Sequence, residues 1–128
     1  MIFSLSRRPL GTPAAVLPPS GEFESLGTIF LARLQSERVH LATSSAALAR
    51  ADDNPEAIFH DLQFRAHRLS GAASIFDADD IAAAAHALDE AAAAAAHSHA
   101  SNTNPRVWGA MLTLMSLLQR VEADQDRE

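Results

Sequence analysis

A histidine stands four residues before a glycine in the run Ala66-His67-Arg68-Leu69-Ser70-Gly71-Ala72-Ala73. A neutral imidazole can attack an electrophile, move a proton or bind a metal. In a helix, the residue four positions on lies one turn above, so Gly71 would leave the space over the His67 ring open. Glycine costs roughly 1 kcal/mol relative to alanine inside a helix. Alanine makes up about a fifth of the chain, so a glycine here calls for a reason, and access for a large partner is one. The other candidate groups offer less. His97-Ser98-His99 could meet a metal in an extended loop, but two imidazoles with no carboxylate or thiolate placed to complete the set make a weak site, and no metal is expected. Asp79-Asp80 and Asp89-Glu90 read as helix-cap and solvated-face charges. The sequence has no Ser/His/Asp constellation, phosphate loop or dinucleotide fingerprint, so a freestanding metabolic enzyme is not expected.

The elements that must hold His67 are helices. The chain has 128 residues, enough for one domain with a modest core. Abundant alanine, no tyrosine and no runs of valine or threonine favour helix over strand. The absence of cysteine removes disulfides, thiolate metal sites and cysteine nucleophiles, and suits the cytoplasm. The net charge of −6, with every basic residue an arginine, argues against a nucleic-acid partner. No apolar run approaches the roughly 20 residues of a membrane span, so no membrane partner is expected. Arg7-Arg8 is followed by four prolines between Pro9 and Ser20 and by no sustained apolar core, which does not fit a twin-arginine export signal.

Residues 1–20, rich in Pro, Ser and Gly, read as a flexible, extended tail. Residues 21–123 read as an antiparallel up-down four-helix bundle, and 124–128 as a frayed C-terminus within a charged stretch that begins at Ala123. The first helix is expected from about Glu22 to Arg50, with Phe30, Leu34, Leu41, Ser45 and Leu48 on its apolar face. Ser20 or a neighbour would cap it, and Glu22 and Glu24 would suit its N-terminal dipole. Ala51-Asp52-Asp53-Asn54 breaks the pattern. The second helix is expected from Pro55 to Phe76, with a stripe of Leu62, Ala66, Leu69, Ala73 and Phe76, extended by Ile58 and Phe59. The third is expected from Asp79 to His97 with an Asp as N-cap, its face formed by Ile81, Ala84 or Ala85, Leu88, Ala92 and Ala95. The run Ala91 to Ala96 reads as a close-packing surface. The fourth begins at Asn104-Pro105 and carries Val107, Trp108, Met111, Leu114, Met115, Leu118 and Val121. A three-helix array completed by dimerisation is the competing architecture.

Advancing about 100° per residue from Leu62 places Ala66, Leu69, Ala73 and Phe76 within roughly 40° of the buried direction. His67 then lies roughly 140° away and Gly71 roughly 180°, with His60, Gln63, Phe64, Ser70 and Ser74 on the same outward half. The pattern His67-Arg68-Leu69-Ser70-Gly71, on the second of four helices, resembles the signature of histidine-containing phosphotransfer (HPt) domains, His-x-Leu-Lys-Gly. The resemblance covers about Glu22 to Val121. It implies that His67 accepts and donates a phosphoryl group, exchanging it with receiver-domain aspartates of response regulators or with a histidine kinase. It implies a docking surface of Phe64, Arg68, Ser70, Gly71 and Ser74 with part of the first helix. It also implies a cytoplasmic monomer with no cofactor of its own, since the receiver carries the magnesium.

Two positions depart from that signature. Serine replaces the lysine at Ser70, and Arg65 or Arg68 is left to supply the missing charge. Asp77 stands where a glycine often lies, ten residues after the histidine. A polar residue of the third helix meets the imidazole in some relatives, and His86 and Asp89 are both candidates. A bundle that keeps the docking face without efficient transfer, and a structural bundle that assembles through its own surface, are the alternatives.

Overall fold

Apolar residues recurring every three or four positions form four helices: α1 (Ser20–Arg50), α2 (Pro55–Ile75), α3 (Asp79–His97) and α4 (Pro105–Asp126). The computed structural model describes the backbone of residues 20–50 and 54–126 and the side chains of 25–50 and 54–124. The expected tail before Ser20, the Arg7-Arg8 pair, the first-helix capping by Ser20, Glu22 and Glu24, and the break at Ala51-Asp52-Asp53 lie outside the described residues. Each helix packs on its sequence neighbours, and α4 returns to α1, with the most extensive contact between α2 and α3. This is the antiparallel bundle, all-α among the described residues. All four helices close one core within a single chain, so the dimerised three-helix array is not the arrangement adopted.

That core is a single cluster. It runs from Phe30, Leu34, Leu41 and Leu48 of α1 through Phe59, Leu62, Ala66, Leu69 and Ala73 of α2. On α3 it takes Ile81, Leu88 and six alanines, and on α4 Val107, Met111, Leu114 and Leu118. Both Ala84 and Ala85 are buried, as are Ala91, Ala92, Ala95 and Ala96. The small side chains give α3 a broad face that α2 and α4 can approach closely. Ser45, expected on the α1 stripe, is only half-buried. Glu37 occupies a stripe position instead, in the seven-residue gap between Leu34 and Leu41.

Local chemistry sets the helix ends. Asn54 caps α2: its side chain accepts the Glu56 N–H at 3.0 Å, and Pro55 fills the first helical position. Asn104 accepts the Val107 N–H at 3.0 Å at the start of α4. The α3–α4 loop is pinned at two points, since Asn102 Nδ2 donates to the Leu48 carbonyl and Trp108 Nε1 donates to the Asn102 carbonyl, each at 2.8 Å.

Three expectations are corrected. No aspartate caps α3: the N-cap is Ala78, with no side-chain hydrogen bond, and Asp80 Oδ1 accepts the Ile81 N–H instead. Phe76 is the C-cap of α2 and not its last helical residue, and its ring stacks on Phe30 with centroids 4.7 Å apart. The backbone of α4 stays helical to Asp126, into the stretch expected to fray.

The α2 end also explains Asp77. The Ala78 N–H reaches the Ala73 carbonyl at 2.9 Å and the Asp77 N–H reaches Ser74 at 3.2 Å, while Asp77 takes φ 58°. This is a Schellman closure with its left-handed residue at Asp77, the slot that glycine fills most cheaply. The same closure ends α3, where His99 has φ 55° and the Ala100 N–H reaches Ala95 at 2.9 Å.

Candidate functional site

The α2 stripe buries Leu62, Ala66, Leu69 and Ala73 against α3 and its neighbours, and this turns the opposite half of the helix outward. His67 stands mid-helix on that half, its side chain 78% exposed. Its Nδ1 lies 3.0 Å from Oδ2 of Asp89 on α3. Asp89 flanks the buried face of its helix and its side chain is only 14% exposed, so the carboxylate is held while the ring stands in solvent. An ionised carboxylate can only accept, so Nδ1 carries the proton and donates it. Nε2 then holds the lone pair, and no partner for it occurs among the described residues. The contact fixes the tautomer and the ring plane together.

Gly71 is exposed, and a Cβ built there would meet nothing within 4 Å. Packing does not demand the glycine, which adds no side chain one turn above His67. Phe64, one turn below, is 61% exposed. The guanidinium carbon of Arg68 sits 5.5 Å from the Phe64 ring centroid. Ser70 is half-buried, and the Ser74 hydroxyl donates to the Ser70 carbonyl at 3.1 Å. Phe64 and Arg68 also line a depression of about 140 Å³ against α1, with Arg33, Glu37, Asp61 and Arg65.

Glu37 is the residue that reading by periodicity passed over. It takes Arg65 Nη1 at 3.6 Å and Arg33 Nε at 3.7 Å, while Arg65 Nε also lies 3.3 Å from Asp61. The signal was the gap between Leu34 and Leu41, where one stripe position is charged. Of the two candidates on α3, Asp89 meets His67, whereas His86 pairs with Glu90 at 3.3 Å along its own helix. The remaining histidines do not converge on a metal. His99 lies 3.5 Å from Glu56, and among the described residues no group of three or more His, Asp or Glu could hold an ion. No described helix is long and apolar enough to cross a membrane.

The arrangement offers one accessible nucleophilic nitrogen, a carboxylate behind the ring and an open apolar surface beside it. Among the described residues, the depression beside it, about 140 Å³, is shallow and shared with α1. A group presented on the surface of another macromolecule can reach such a site. The chain is similar to the family described as Hpt domain, whose model matches residues 28–124. No curated protein and no solved structure matches it.

Proposed function

Since the chain belongs to the Hpt domain family, we propose that it is a phosphorelay intermediate whose phosphoacceptor is His67. Membership implies histidine phosphotransfer in two-component signalling, with receiver domains and histidine kinases as the partner classes. The observation that carries the assignment to His67 is the exposed ring with Nδ1 held by Asp89 and Nε2 left open.

The Nε2 lone pair attacks the phosphorus of an aspartyl phosphate on the receiver. The N–P bond forms as the bond from phosphorus to the aspartate oxygen breaks, and the receiver's carboxylate leaves with the electron pair. The Nδ1 proton stays in place, so the ring becomes cationic and the Asp89 carboxylate stabilises it. Return of the phosphoryl group reverses each change. The transition state is loose, and catalysis consists mainly of positioning and charge compensation. Magnesium belongs to the receiver in this scheme, and the chain supplies no cofactor. Phe64, Gly71 and Ser74 form the docking surface beside the ring. The protein acts as a cytoplasmic monomer.

One observation favours a second reading, a docking domain with inefficient transfer: Ser70 brings no charge to the place where the family signature has lysine. Transfer of radiolabel from phosphorylated receivers separates the two. The first reading requires label on the wild type within seconds to minutes and none on His67→Gln. Label that persists on His67→Gln excludes this histidine, and stable binding without label supports the second reading.

A further inference from the structure

A phosphoryl group on Nε2 brings close to two negative charges to a site without lysine. The Ser70 hydroxyl can donate a hydrogen bond but lends no charge. Two arginines of α2 remain. Arg65 is committed elsewhere: Glu37 and Asp61 hold it at 3.6 and 3.3 Å, on the side of α2 that faces α1. Its position is about 200° around the helix from His67.

Arg68 lines the same depression against α1, but it differs in its partners and stands about 100° from His67. It is exposed, and no carboxylate pairs with it among the described residues. Its guanidinium rests over Phe64, 5.5 Å from the ring centroid. Phe64 lies three residues before His67, and residues so spaced are surface neighbours. A cation over an exposed aromatic ring is held weakly, so the guanidinium can leave at little cost. Gly71, one helical turn above His67, carries no side chain.

We propose that Arg68 moves from Phe64 onto the phosphoryl oxygens as the Nε2–P bond forms, supplying the charge that Ser70 lacks. This rests on the reading of His67 as phosphoacceptor. The planar guanidinium suits two oxygens of one phosphoryl group.

The test uses the full chain and a small donor, phosphoramidate, which has no docking face. Nε2 attacks the donor's phosphorus, the N–P bond to ammonia breaks and ammonia leaves. Phosphorus NMR follows the appearance of phosphohistidine. Arg68→Gln slows it by about five- to tenfold, the range expected for one exposed charge-assisted contact. Arg68→Lys keeps most of the rate, and Arg68→Gln with Ser70→Lys regains it. Added salt slows the wild type more than Arg68→Gln, because the interaction removed is Coulombic. A wild-type rate in Arg68→Gln, or an equal loss in Arg68→Lys, overturns the proposal while leaving His67 as acceptor. No phosphohistidine on the wild type, or an undiminished phosphohistidine signal in His67→Gln, overturns the phosphoacceptor reading itself.

Discussion

Replacing Asp89 by alanine should slow phosphotransfer without unfolding the bundle. The Asp89 carboxylate and His67 Nδ1 are 3.0 Å apart, and the ring becomes cationic once Nε2 is phosphorylated. Two unit charges about 4 Å apart attract by about 4 kcal/mol at an effective dielectric of 20 and about 1 kcal/mol in water. The His67 side chain is 78% exposed, which pulls the value toward the lower end, although Asp89 is only 14% exposed. An estimate of about 1–2 kcal/mol corresponds to a rate loss of about five- to thirtyfold. Asp89→Asn keeps an acceptor for the Nδ1 proton and loses only the charge, so its rate falls between the two. An exposed pair contributes at most about 1 kcal/mol to folding, so thermal unfolding of both variants stays close to wild type. Rapid-quench transfer measures the rate, and nitrogen NMR of labelled histidine measures which ring nitrogen bears the proton. Wild-type transfer by Asp89→Ala, or a neutral His67 with its proton on Nε2, would rule out this role for Asp89.

Gly71→Ala should raise stability by about 0.5–1 kcal/mol in thermal unfolding, since its Cβ meets nothing within 4 Å. Gly71→Phe should fold yet lose transfer from a receiver, because the bulk lies over the imidazole. Asp77→Gly should stabilise the chain by up to about 1 kcal/mol by relieving the φ of 58° in the α2 closure. Urea unfolding measures it, and a loss of stability would contradict the strain argument. Glu37→Ala should cost about 2 kcal/mol, with Glu37→Leu costing less. Alanine leaves Arg65 without one of its carboxylates and opens space on the α1 stripe, whereas leucine refills that space.

Much of the bundle was legible because a helix writes its buried face into its own sequence. The stripe from Leu62 to Ala73 fixed the outward half of α2, and with it the exposure of His67, Phe64 and Gly71. Asn54-Pro55 and Asn104-Pro105 marked two helix starts through chemistry confined to a few residues. Features that depend on two helices at once were not legible. Whether His86 or Asp89 meets His67 is decided by the register of α3 against α2, which neither periodicity contains. The separation of Arg65 from Arg68 likewise required Glu37, on a different helix, to be seen as the partner. Asp77 and His99 in left-handed conformations were hidden because the usual sign of that conformation is glycine. An aspartate before α3 looked like a cap, but the chain leaves the α2 closure with Ala78 in that place.

The most direct test is to locate the phosphorus–nitrogen bond in the phosphorylated full chain by phosphorus–nitrogen correlation NMR with labelled histidine. One phosphoryl group is expected, on Nε2 of His67, with no such signal in His67→Gln. Phosphorus bonded to Nδ1, or to any other histidine, would contradict that assignment.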